Sequence, residues 1–182
     1  MSERNLRKQN EAFMKKIKEE NPHYFDELKK GQEPEYFVLA CSDSRVSPSV
    51  ITEMPLGNLF VHRNIANQVV SGDESFSASL YYALNYLKVK KIIIKGHTDC
   101  GGIKAAWSDE TDEELQGWIS GVRQYVPEKK NHNDSIDYLA KINVINQVER
   151  LKKHPVYKAY GEDVEVRGCL FHVESGELER LI

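Results

Sequence analysis

Two short apolar runs constrain this chain most. Residues 34–40, PEYFVLA, follow a glycine and open on a proline, and residues 89–95, VKKIIIK, stop at Gly96. Apolar runs of this length, bounded by turn residues and rich in β-branched or aromatic side chains, read as buried strands. Each is followed at once by residue types that carry chemistry. After the first comes C-x-D-x-R, Cys41 to Arg45, and after the second comes GHTDCGG, Gly96 to Gly102.

Further elements alternate with these strands. NLFVH, residues 58–62, reads as a strand, and residues 73–87 place Phe76, Leu80, Ala83, Leu84 and Leu87 at helical spacing. Ser71 and Glu74 are spaced as a capping box for that helix. Helical segments are expected around Asp112–Val126 and Ser135–Leu151, the second with Ile136, Leu139, Ile142, Ile145 and Val148 recurring every three residues. VEVRG and CLFHV, with a turn at Glu174–Glu177, read as strands near the end. The pattern predicts an α/β fold with a mainly parallel central β-sheet flanked by helices. Ligands bind such sheets beyond the carboxyl ends of the strands, where both motifs lie.

Composition narrows the function classes. The chain has 182 residues, 40% of them apolar and 29% charged, which suits a single domain spanning 1–182. A net charge of -3 and a pI near 6.1 argue against nucleic acid as the main partner. No apolar run approaches the roughly 18 residues of a membrane helix. MSERNLRKQNEAFMKKIKEE is charged throughout, so no secretory signal and no membrane partner are expected, and a cytoplasmic location is. It reads as an amphipathic helix with Leu6, Phe13, Met14 and Ile17 toward one side.

The three cysteines, Cys41, Cys100 and Cys169, are too few for a disulfide framework. If the two motif-bearing strands are neighbours, Cys41, His97 and Cys100 converge. Two thiolates and an imidazole suit zinc, and three protein ligands leave a fourth position open for catalysis. Gly101 and Gly102 let the backbone approach a metal and a small substrate. Asp43 has two roles open to it: filling the fourth position, or pairing with Arg45 off the metal. If the backbone stays extended past Cys41, then Cys41, Asp43 and Arg45 share one side. Asp99 lies between two ligand positions and is not expected to turn inward. His23, His62, His132, His154 and His172 lack ligand spacing, Cys169 reads as a packed thiol, and Trp107 and Trp118 read as core or subunit contacts.

With both motifs in view, the chain resembles the β-class carbonic anhydrases. ACSDSRVSP, GNLFVHRNIANQVV, LYYALNYLKVKKIIIKGHTDCGG, NVINQVERLKKHPVY and GCLFHVESGELERLI match in family order, with R-N-x-A-N between the two ligand motifs. The resemblance implies one Zn2+ per subunit on Cys41, His97 and Cys100. It implies reversible hydration of carbon dioxide to bicarbonate and a proton by zinc-bound hydroxide, oriented by the catalytic dyad Asp43 and Arg45. In a closed form known in part of the family, Asp43 itself ligates the metal. Gln32, Phe60, Ile65, Tyr82 and Gly101 fall where the family binds substrate, Gln32 reaching a neighbouring subunit's pocket. The resemblance further implies a homodimer or homotetramer in which the extended amino-terminal helix, an arm of residues 1–30, packs on the partner subunit.

The chain departs from a subfamily that has a bicarbonate-inhibited pocket. Val38 stands where that group has tryptophan and Phe171 where it has tyrosine, whereas Arg63 matches, so the pocket is expected to be lost or weakened. The usual P-G-D or P-G-E turn reads PLGN, residues 55–58. Two other functions fit the same residues: zinc-dependent hydrolysis of a related small molecule such as carbon disulfide, and a noncatalytic zinc or redox-sensing module closed by Asp43.

Overall fold

The structure is a computed structural model that describes residues 3–108, 112–126 and 135–182. The chain divides into two compact units, Met1–Glu33 and Pro34–Ile182. The first contains α1 (Glu3–Glu20) and α2 (Tyr24–Leu28). α1 carries the expected apolar stripe, yet none of its residues is buried, and Leu6 and Phe13 remain exposed. Phe13 packs edge-on against Phe25, with ring centroids 6.5 Å apart.

The second unit holds a five-stranded sheet in the order β2-β1-β3-β4-β5. Its strands are β1 (Tyr36–Cys41), β2 (Leu59–Asn64), β3 (Lys91–His97), β4 (Glu165–Phe171) and β5 (Leu178–Arg180). All neighbours run parallel except β5, which pairs antiparallel with β4. The expected α/β fold with a mainly parallel sheet is therefore present. Between the strands lie α3 (Pro48–Ile51), α4 (Glu74–Tyr81), α5 (Gly101–Trp107), α6 (Glu113–Arg123), α7 (Ile136–Lys153) and α8 (Pro155–Tyr160). Among the described residues no helix is long and apolar enough to cross a membrane.

The sheet's core face is built from alternate residues. Phe37 and Leu39 of β1 stand beside Ile92 and Ile94 of β3, and all four are fully buried. α7 lies close over β3 and β4. A Cβ at Gly96 would fall 2.5 Å from Val144 Cγ2, and one at Gly168 would fall 2.9 Å from Val144 Cγ1. On the sheet's other face a hollow of about 290 Å³ is lined by Val38, Ile93, Lys95, Cys169 and Arg180 among others.

Four local readings change. VEVRG and CLFHV are one continuous strand, because Gly168 continues the ladder opposite Ile94 instead of turning it. α4 is capped by Asp73, whose carboxylate accepts from the Phe76 amide at 3.1 Å, not by a Ser71–Glu74 box. Aspartate directly before the first helical residue already satisfies the free amide. The helix then loosens into a π-turn over Tyr82–Tyr86. On α7 the buried face is Leu139, Ala140, Asn143, Val144, Gln147, Val148 and Leu151, while Ile145 is exposed. A true helical period brings two amides inward where spacing by threes suggests isoleucines.

Candidate metal centre

β1 and β3 are parallel neighbours, so their carboxyl ends open on the same edge of the sheet. Cys41 ends β1 and His97 ends β3. After His97 the chain turns through Asp99, at φ 55, and enters α5 with Cys100 as its N-cap residue. The ligand atoms of Cys41, His97 and Cys100 all lie within 4.8 Å of one another, and all three residues are buried.

The donor set fits a tetrahedral metal. The two sulfurs are 4.0 Å apart. A disulfide requires about 2.05 Å, whereas two sulfurs each about 2.3 Å from a tetrahedral zinc lie roughly 3.8 Å apart. His97 Nδ1 contacts the Thr98 carbonyl at 2.8 Å, which assigns the proton to Nδ1 and leaves Nε2 with a free lone pair. That Nε2 is buried and has no hydrogen-bond partner. A buried polar atom without a partner is costly unless something else satisfies it, and a metal held by these three residues would do so.

The thiols are biased toward ionisation in sequence. The hydrogen bond from the Cys100 thiol, with the Asp43 and Ala66 amides alongside, pulls the Cys41 thiol well below its usual range against the cost of burial. Cys100 is pushed up by the same neighbour and by burial, while the Gly102 and Ile103 amides at the start of α5 oppose that rise. One thiolate therefore forms readily, and a second beside it calls for a cation.

Asp43 faces Arg45. The guanidinium donates from Nε to Oδ1 at 3.0 Å and from Nη2 to Oδ2 at 2.7 Å, and the Arg45 amide adds a bond to Oδ1 at 2.9 Å. These bonds, the guanidinium first, hold the Asp43 carboxyl well below the usual carboxylate range. Asp43 Oδ2 is also 3.8 Å from His97 Nε2, so the carboxylate borders the ligand cluster while bound to arginine. The backbone does not stay extended past Cys41. It turns at Ser44 and Arg45, and this turn, closed on the Asp43 side chain, brings the pair together.

Arg45 is shared. Its Nη1 donates to Asp99 Oδ2 at 3.0 Å, and Lys104 pairs with the other Asp99 oxygen. Asp99 thus points away from the cluster. Arg63, on β2, spans the same loop, donating from Nε to the Cys41 carbonyl at 2.9 Å and from Nη2 to the Asp43 carbonyl at 2.6 Å. Lys95 donates to the Val46 carbonyl at 2.7 Å, and burial lowers its pKa to about 8. The roles of Arg63 and Lys95 in bracing this loop were not visible in sequence, where only a strand parity argument could have pointed them toward it.

The other expected site residues are distributed unevenly. Ile65 follows β2 directly and abuts Gly102, where a Cβ would fall 2.7 Å from Ile65 Cγ2. Gly101 opens α5 beside Cys100. Phe60 and Tyr82 contact each other, with ring centroids 5.7 Å apart. Phe60 pairs with Phe37, four residues before the Cys41–Asn64 pairing and so about 13 Å down the strand. Gln32 lies in the first unit and is exposed. Of the histidines, His62 bonds Ser79, His154 bonds Ser77, and His172 sits between Glu174 and Glu179. His132 lies outside the described residues. Trp118 donates to the Ile65 carbonyl at 3.0 Å.

The comparisons with known proteins agree with this geometry. The family model for carbonic anhydrase matches residues 36–178, most of the chain. The chain belongs to the β-class carbonic anhydrase family. A carbonic anhydrase of Emericella nidulans is 35% identical over 94% of this chain and 80% of its own length. One of Candida albicans is 36% identical over 94% of this chain and 65% of its own length, so this chain spans a little under two thirds of that relative. Among solved structures, a tetrameric β-carbonic anhydrase of Sordaria macrospora superposes with a TM-score of 0.89 at 32% identity, covering 98% of this chain and 95% of that one. A Coccomyxa β-carbonic anhydrase in complex with acetazolamide gives 0.88 at 31% identity, covering 98% and 85%. The chain is accordingly an enzyme of the carbonate dehydratase class, a lyase.

Proposed function

We propose that the chain catalyses reversible hydration of carbon dioxide to bicarbonate and a proton, with one zinc per subunit held by Cys41 Sγ, His97 Nε2 and Cys100 Sγ. The observation that carries this reading is the buried, unpartnered His97 Nε2 grouped with two thiol sulfurs, beside a carboxylate already committed to arginine. Zinc held by these residues would lower the pKa of a water to around 7 and so supply a nucleophile at neutral pH. Asp43 orients that water. Ionised and held by Arg45, it could only accept a hydrogen bond, and it would so fix the orientation of a water beside the ligand cluster. With its pKa held low, Asp43 does not keep the released proton, which passes to solvent or buffer. A noncatalytic module closed by Asp43 would place that carboxylate on the metal; its pairing with Arg45 supports the catalytic reading.

Gly101 and Ile65 border the ligands and are proposed to contact substrate, Gly101 through its amide. Phe60 and Tyr82 match pocket positions, but Phe60 lies down the strand from the ligands of its own chain and Tyr82 packs against it. We therefore propose that they and Gln32 complete the pocket across a homo-oligomer interface, a dimer or tetramer, which the exposed apolar stripe of α1 helps to build. The arm of residues 1–30 and the rest of the chain then act as one functional domain. A cytoplasmic location fits, since reducing conditions keep Cys41 and Cys100 as thiols.

Metal analysis tests the zinc assignment. Purified protein is expected to carry one zinc per chain, to lose it to a strong chelator, and to regain it in the same ratio. Protein that folds and shows no stoichiometric zinc would reject the assignment.

The inhibitory pocket of the subfamily is proposed to be absent. Val38 and Phe171 offer no indole or phenol, and Arg63 spends its donors on the Cys41 and Asp43 carbonyls. Bicarbonate is expected to act only as a hyperbolic product inhibitor. Sigmoidal inhibition would reveal an effector site and contradict this.

A further inference from the structure

The R-N-x-A-N stretch, Arg63 to Asn67, links β2 to the rest of the site through an unusual turn. Ala66 and Asn67 both adopt left-handed backbone, at φ 60 and φ 48. Residues other than glycine avoid this region, and two in succession need outside support. The turn is wedged against both segments that carry ligands. At Gly102, two residues past Cys100, a Cβ would fall 3.0 Å from Ala66 Cβ; at Gly96, one before His97, it would fall 3.6 Å from Asn67 Oδ1. The Ala66 amide is one of the backbone groups that lower the Cys41 thiol.

Three buried amides hold this turn from behind. Gln68 Nε2 and Asn143 Nδ2 both donate to the Ala66 carbonyl, at 2.7 and 3.1 Å. Asn143 Oδ1 accepts from Gln68 at 2.8 Å and from Gln147 at 3.1 Å. Gln147 also donates to Gln68 Oε1 at 3.0 Å and accepts from the Val69 amide at 2.8 Å. Gln68, Asn143 and Gln147 are each at most 1% exposed. Trp118 Nε1 fixes the preceding carbonyl, Ile65 O, at 3.0 Å. The carbonyls of two consecutive peptides, Ile65 and Ala66, are thus held by side chains that include residues of two helices, and the Ala66 N–H lies between them in the chain.

We infer that Asn143 and Gln147 of α7 are positioning residues for the ligand set, acting through Gln68 to hold the Ala66 peptide so that its N–H bonds the Cys41 sulfur. The inference rests on the zinc reading above. A hydrogen bond to a ligating thiolate withdraws charge from it, and groups that orient ligands in this way set metal affinity. An apolar core of the same shape would stabilise α7 without aiming that N–H.

Cobalt substitution and chelator competition test this. Wild-type protein loaded with Co2+ is expected to show a sulfur-to-cobalt charge-transfer band; its absence would reject the zinc reading itself. Asn143→Leu is expected to move that band to longer wavelength and to weaken zinc binding by about tenfold. Val148→Ala, a buried apolar change on the same helix, is expected to lower Tm and leave both unchanged. If Asn143→Leu does not fold, Trp118→Phe, which removes only the Ile65 bond, must show the same band shift in smaller measure. A normal wild-type band that none of the folded variants moves overturns the inference while leaving the zinc reading intact.

Discussion

Asp43→Ala is expected to keep its zinc and to lose hydration activity by on the order of 100-fold or more. The geometry separates the two effects. The three ligand atoms cluster without Asp43, and its carboxylate is spent on the Arg45 guanidinium and amide. Removing it leaves the metal-holding atoms in place and deletes the acceptor that orients the water. Arg45 remains anchored by Asp99, so the loop keeps a partner for its charge. Zinc content and hydration rate, measured on one preparation, read the two effects apart. Loss of zinc from Asp43→Ala would instead make Asp43 a standing ligand.

His97→Ala is expected to fail at the earlier step. It removes the unpartnered Nε2 and opens a space at a fully buried position beside the two thiols. Its loss in metal affinity should exceed the 10- to 100-fold typical of partners outside the ligand shell, and hydration should fall to the buffer rate. The ring also packs in the core, so some destabilisation accompanies the change. Metal content by elemental analysis, with folding checked by circular dichroism, measures it. Stoichiometric zinc on folded His97→Ala would remove His97 from the ligand set.

The parts legible in sequence are those whose signal is local. Cys41 and His97 each stand at the end of a short apolar run, and parallel pairing of those runs suffices to bring them together. The loop after Cys41 was only half legible. Alternation implies an extended backbone, whereas the chain turns because Asp43 can accept from the amide two residues on, a competition that aspartate wins in loops. Asn143 and Gln147 were hidden for a different reason. Nearby isoleucines draw the eye to a three-residue spacing, and the amides are satisfied by Gln68, which lies 75 residues from Asn143. Burial of a polar side chain depends on partners that only the fold supplies. Phe60 illustrates the same limit in reverse, since its motif position is local but its distance from the ligands follows from strand register.

Stopped-flow measurement of carbon dioxide hydration on zinc-loaded protein, from about pH 7 to about pH 9 where a zinc-activated water is ionised, tests the central claim most directly. The account predicts a rate far above buffer that scales with bound zinc. A zinc-loaded, folded protein that does no better than buffer across that range would contradict it.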